Sequence, residues 1–151
     1  VTGGGKVWVH GTGAGAWLAP LFVNQFVGTF DRDRPALPAV LLPTDAPVRA
    51  LSALATADDL LLLIGANGAD AAEMGLALVA AAHERDMPVI SLGALGNGLL
   101  SHKLRDTDVN VCVPHTRAAR VAEMHLLVLN CVCDGVDALL LGDATELETA
   151  E

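Results

Sequence analysis

Five stretches of the chain are continuously apolar: "KVWVH" at 6–10, "LPAVLL" at 37–42, "DLLLLIG" at 59–65, "PVISLG" at 88–93 and "DVNVCVP" at 108–114. A strand with one wet face alternates apolar and polar residues. A continuous run suits a strand covered on both faces, as in a parallel sheet. Helical patterns lie between the runs, at 16–30, 48–54, 71–85 and 99–104, and a long one follows at 117–141. The segment 71–85 ends on basic residues that suit the negative end of a helix, and Pro88 closes it. Strands alternating with helices predict an α/β fold, a three-layer αβα sandwich around a five-stranded parallel sheet of the flavodoxin-like kind. Its ligand crevice is expected at the carboxyl ends of the strands.

The last helical pattern departs from a surface helix. From 126 to 132 it reads "LLVLNCV", with no polar residue every few positions. A terminal helix of a one-domain chain is rarely buried on all sides, so its second face is expected to meet another subunit, in a dimer or tetramer built through 117–141. The apolar runs read as too short or too interrupted to span a membrane, and no basic leader precedes them, which predicts no membrane partner and a cytoplasmic protein. The 151 residues suit one domain over 1–142, followed by a frayed acidic tail over 143–151.

Composition narrows the partners. Hydrophobic residues make up 52% and aromatics 3%, so the core is aliphatic. The net charge is −9 with only 9 Lys and Arg, which argues against direct nucleic-acid binding, since that needs a basic face to displace counterions. Cys112, Cys131 and Cys133 read as reduced core thiols. The last two point to different sides of a helix, so neither a metal nor a disulfide is expected from them.

Two glycine turns carry the candidate chemistry. "GTGAGA" at 11–16 follows a strand, opens a helix and formally fits the dinucleotide pattern G-x-G-x-x-G/A. That pattern also wants an acidic residue at the end of the second strand, and Asp45 comes late, past a proline, so no cofactor is expected. "GANGAD" at 65–70 is a second turn of the same kind. Together the two could clasp one ligand through Gly11, Thr12, Gly13, Gly15, Asn67 and Gly68. A phosphate site adds Ser and Thr hydroxyls to such backbone donors, and here only Thr12 and Asn67 are on offer. Asp70 would cap the following helix and repel an anion. His10 ends the first strand at the crevice, His115 and Arg117 follow the fifth, and Trp8 and Trp17 read as core or interface.

The order of glycine turn, "FDRDRPALPAVLLPTD" at 30–45, second turn and "RVAEMHLLVLNCVCDGVD" at 120–137 resembles the SIS (sugar isomerase) domain family. The similarity covers almost the whole chain. It is greatest to the branch holding phosphoheptose isomerase and its non-catalytic relative, the DnaA-initiator-associating protein. The resemblance implies a five-stranded parallel sheet between helices and a homotetramer. It also implies helices ahead of the first strand and a longer segment between 45 and 58 than this sequence shows, which favours a mixed oligomer with a related SIS subunit.

In the isomerases a serine ends the first turn, the second turn is rich in hydroxyls, and a His and Glu of the first helix join a Gln and His of the last around zinc. The matching positions here are Gly15, then Gly65, Ala66, Asn67 and Asp70, then Leu21, Gln25, Ala122 and Asn130. The Glu is also the proton-shuttling base, and an amide at Gln25 cannot take that role. No metal is therefore expected, and no catalytic assignment is made beyond the degenerate positions Gln25, His125 and Asn130. His125 reads more simply as a packed histidine. The expectation is a non-catalytic carbohydrate-derivative-binding or assembly module, holding at most a sugar phosphate and partnered by itself or a related subunit. The alternatives are a sedoheptulose 7-phosphate isomerase and a DnaA-binding regulator of replication initiation.

Overall fold

In the order the apolar runs predict, five strands alternate with helices. The computed structural model describes residues 3–65, 69–95 and 98–142. The elements are β1 (Val7–Gly11), α1 (Gly15–Val27), β2 (Ala39–Leu41), α2 (Pro47–Leu54), β3 (Leu60–Ile64), α3 (Ala69–His83), β4 (Val89–Ala94), α4 (Gly98–Ser101), β5 (Val109–Val113) and α5 (Ala118–Leu141). The strands form one parallel sheet in the order β2-β1-β3-β4-β5. The order reverses beside β1, so the crevice opens where β1 and β3 end and both glycine turns begin. The tail over 143–151 lies outside the described residues.

Each sheet face has its own core. Trp8, Leu61, Leu63 and Val89 pack under Leu51 of α2 and Leu78 of α3. Val9, Leu62, Ile64 and Leu92 pack under Phe22 and Phe26 of α1 and Leu129 and Cys133 of α5. Successive residues of β1, β3 and β4 thus feed opposite cores, whereas the edge strands β2 and β5, expected to be covered on both faces as well, are only partly buried.

Several expectations need correction. The first helix stops at Val27, before the expected 30, because Gly28 leaves helical geometry there. Of the three thiols only Cys133 is core. Cys112 lies exposed on edge strand β5 and Cys131 on the outer face of α5. Trp8 is buried in the core, whereas Trp17 is 74% exposed on the first turn of α1, so of its two readings, core or interface, the core one fails. The expectation that no apolar run could span a membrane also fails. Residues Ala118–Leu141 are long and apolar enough by length and composition, with a mean hydropathy of 1.7 in the most apolar window. A helix packed on a sheet passes the same test, and α5 lies on the sheet through Val121, His125, Leu129, Cys133 and Asp137.

Asp59 pins the amino end of the central strands. Its buried carboxylate accepts from the Lys6 backbone N–H at 2.9 Å, Lys6 Nζ at 2.8 Å, Trp8 Nε1 at 2.9 Å and the Thr56 N–H at 2.9 Å. Burial alone would raise the pKa of this carboxyl. The four donors outweigh that and hold it well below the usual carboxylate range. Folding therefore weakens proton binding here. The resulting stability is present at neutral pH and fades as pH falls below the ordinary carboxylate value of 3.8. Asp59→Ala is expected to cost about 3 kcal/mol in urea unfolding at neutral pH, since it strands a half-buried ammonium and a buried indole N–H. The gap between wild type and variant should narrow as the titration is repeated at more acidic pH. A gap that widens on acidification would contradict this account.

Candidate functional site

The first glycine turn folds tightly onto the end of β3. The Thr12 N–H donates to Ile64 O at 3.0 Å and the Thr12 hydroxyl donates to Gly65 O at 2.7 Å. Within the turn, the Gly15 N–H donates to Thr12 O at 2.9 Å and the Ala16 N–H to Gly13 O at 3.1 Å. Gly13 at φ +56° and Gly65 at φ +75° occupy the left-handed region that favours glycine. At Gly15 a Cβ would lie 2.1 Å from Ile64 O, so the backbones of turn and strand touch there. The hydroxyl and several backbone donors that would cradle an anion are thus spent on the protein itself. Of the expected ligand contacts, Gly11, Thr12, Gly13 and Gly15 come together in this turn. Asn67, Gly68 and the side chain of Asp70 lie outside the described residues.

A second group forms on the seam between α1 and α5. Gln25 and Asn130, 105 residues apart, meet through Gln25 Nε2 donating to Asn130 Oδ1 at 3.4 Å. Gln25 Oε1 is buried without a partner. Leu21 lies one turn before Gln25, and Ala122 lies two turns before Asn130. The seam is held by Arg34, whose Nε bonds the Asp137 carboxylate of α5. The same guanidinium donates to the α1 carbonyls of Gln25 at 2.9 Å and Phe26 at 2.9 Å, and to Gly28 O at 3.2 Å. These are carbonyls that the helix end leaves without intrahelical donors. Arg34 and Asp137 are absent from the sequence-level site. A charged residue at 137, amid the apolar end of the last helix, was the available signal.

The other candidates are dispersed. His125 belongs to the buried stripe of α5, and its Nε2 lies 3.0 Å from Gly93 O. Burial lowers its pKa, with partial compensation from that bond, so the neutral ring donates to the carbonyl and props α5 on β4. His10 is half-buried at the end of β1, beneath α3, where burial lowers its pKa. The His115 ring Nδ1 accepts from the Arg117 N–H at 2.9 Å and shapes the entry to α5. Cys133 sits near Arg34 and Asp137. Burial pushes its thiol up to about 11, with Asp137 and Asp134 adding to the shift and Arg34 opposing it, so it stays protonated. A cleft of about 490 Å³ between β5 and α5, lined by Val111, Cys112, His115, Arg120, Met124 and Val128, has no counterpart in the sequence reading.

The zinc implied by the resemblance does not fit these residues. Zinc takes thiolate, imidazole or carboxylate ligands. The seam offers two neutral amides and two alkyl side chains. Among the described residues, no three His, Cys, Asp or Glu side chains converge as a metal site.

No family model matches the chain. Individual proteins do. The phosphoheptose isomerase of Methylibium petroleiphilum is 41% identical over 158 aligned positions, covering 95% of this chain and 78% of that protein. That of Dechloromonas aromatica is 37% identical, covering 92% and 78%. Among solved structures, a phosphoheptose isomerase from Neisseria gonorrhoeae superposes with a TM-score of 0.78 at 34% identity, covering 91% of this chain and 78% of that one. One from Francisella tularensis gives 0.78 at 30% identity, covering 88% and 76%.

Gly15→Ser, which restores the serine that the resemblance places at the end of this turn, tests how tightly the turn is closed. Its Cβ meets Ile64 O, and we expect a loss of about 2 kcal/mol or more in urea unfolding. An unchanged midpoint would show that the turn opens freely.

Proposed function

The chain belongs to the phosphoheptose isomerase family and carries its SIS fold, and within that family we propose that it is a non-catalytic member, an assembly or carbohydrate-derivative-binding module. The observation that carries this reading is the pairing of Gln25 with Asn130. Aldose–ketose isomerisation moves a proton between adjacent carbons, which needs a base of suitable pKa beside the sugar. An amide has no basic lone pair in the working range. At the seam one amide satisfies the other in part, and no ionisable group stands at any of the four positions equivalent to the family's zinc ligands. The closed first turn points the same way, because it leaves few donors for a sugar phosphate.

The second reading is a sedoheptulose 7-phosphate isomerase, and kinship favours it. The relatives compared all carry the name phosphoheptose isomerase, at 35–41% identity over most of this chain. On that ground alone the isomerase is the better supported of the two. It requires the base and the metal ligands to come from elsewhere, such as a neighbouring subunit.

The two readings separate in one experiment. The purified chain is incubated with sedoheptulose 7-phosphate, with and without added zinc, and product is followed. We expect no turnover above the uncatalysed rate, and no change in the thermal midpoint on adding zinc. Turnover that Gln25→Ala or His125→Ala abolishes would establish the isomerase. A sugar phosphate that binds without reacting would, at about 100 times its dissociation constant, add roughly 2.7 kcal/mol of stability and identify the ligand of the module.

A further inference from the structure

The sheet face beneath α1 and α5 is not fully covered. Helix α1 packs on β1, β2 and β3, and α5 on β4 and β5. The start of edge strand β5 stays open, with Val109 50% exposed. Beside it a cavity of about 280 Å³ lies between the sheet and the two helices. Every side chain lining it is a hydrocarbon, among them Phe22 and Phe26 of α1, Ile90 of β4, Val111 of β5 and Val132 of α5. Water finds no hydrogen-bond partner on such a wall. A methylene chain needs none, and each methylene moved there from water strengthens binding about fourfold.

This cavity adjoins the cleft of about 490 Å³, because Val111 and Val128 line both. The chemistry changes along that path, since the cleft is also lined by His115, Arg120 and Glu123. The His115 Nδ1 accepts from the Arg117 N–H at 2.9 Å, so the neutral ring carries its proton on Nε2 and presents a donor there. Arg120 donates to Glu123 through one nitrogen, Nη1, at 2.8 Å. The rest of its five-donor fork has no partner among the described residues. Two donors thus belong to the cleft, and an apolar path leads from it. From Arg120 to Val132 α5 advances about 18 Å.

We propose that the joined space between β5 and α5 is a binding site for a medium-chain fatty carboxylate, its chain along Val111, Val128 and Val132 and its carboxylate on Arg120 and His115. A sugar or a peptide would bury polar groups against the hydrocarbon wall at a cost, whereas a single-chain amphiphile with an acceptor head matches both ends. Glu123 competes for Arg120, and Arg120 is exposed, so the chain carries most of the affinity and the head sets the orientation. The proposal goes beyond the function proposed above and does not rest on it. Neither the first glycine turn nor Gln25 and Asn130 line this space.

The test is calorimetric titration of the full chain with hexanoate, decanoate and decanol, each below its micellar concentration. Decanoate binds at least tenfold tighter than hexanoate and raises the thermal midpoint, which a denaturing surfactant would lower. It also binds about fivefold tighter than decanol, and Arg120→Ala removes that advantage without weakening decanol. Val111→Phe fills the junction of the two spaces from the strand, and Val132→Phe fills the cavity from the helix. Each lowers the affinity for decanoate and decanol by about tenfold or more, while the midpoint of the ligand-free protein stays level or rises. Absence of decanoate binding, equal affinity for hexanoate and decanoate, or binding unmoved by both phenylalanine variants would overturn the proposal. An Arg120→Ala chain that loses decanol as much as decanoate would overturn the placement of the head. Decanoate that binds only as an assembly of chains dissociates, followed by light scattering, would show that the space belongs to an interface between copies and would overturn the proposal as well.

Discussion

One buried guanidinium holds the functional half of this molecule together. Arg34 spends its donors on the carboxyl end of α1 and on Asp137 of α5. A charged pair out of water is costly unless nearly every polar atom is satisfied. Here the positive partner is supplied both by a carboxylate and by helix-end carbonyls that carry partial negative charge. Asp137 Oδ1 is satisfied in this way while its Oδ2 stays buried without a partner, and the clamp ties α1 to α5. The meeting of Gln25 and Asn130 depends on that tie, because both lie within two turns of the clamp.

The central strands are fixed in a similar way at both ends. Asp59 gathers the amino ends of β1 and β3 with four donors. The glycine turn ties the carboxyl end of β1 to the end of β3 through Thr12. In each tie the polar groups are engaged in holding the strands to one another. The scaffold that positions a site and the residues that give the site its chemistry are separable, and these ties belong to the scaffold. The superposition on phosphoheptose isomerases reports on the scaffold. The donor set at Leu21, Gln25, Ala122 and Asn130 bears on the chemistry.

The last helix links the two levels. Its buried stripe supplies His125 to β4, Leu129 and Cys133 to the core, and Asp137 to the clamp. Its outer stripe is an apolar centre bounded by opposite charges. A helix apolar on both sides satisfies a length-and-composition test for a membrane span. The sheet beneath it takes up one of those two faces.

The sheet, the layer arrangement and the order of elements were legible in the sequence because each follows from local patterns. Continuous apolar runs imply strands covered on both faces, and glycine turns mark where strands hand over to helices. The residue types at Gly15, Leu21, Gln25, Ala122 and Asn130, on which the proposed function rests, were legible too. Tertiary structure decided what depends on distance between remote segments. It placed Gln25 against Asn130, gave Arg34 and Asp137 their partnership, and closed the turn at Gly15 against Ile64. It also moved Cys112 and Cys131 to the surface and opened the cleft beside β5. A local pattern records how often apolar residues recur, but not which of two apolar helix faces meets the sheet. That choice is made by packing over the whole chain, and here it leaves the outer face of α5 free.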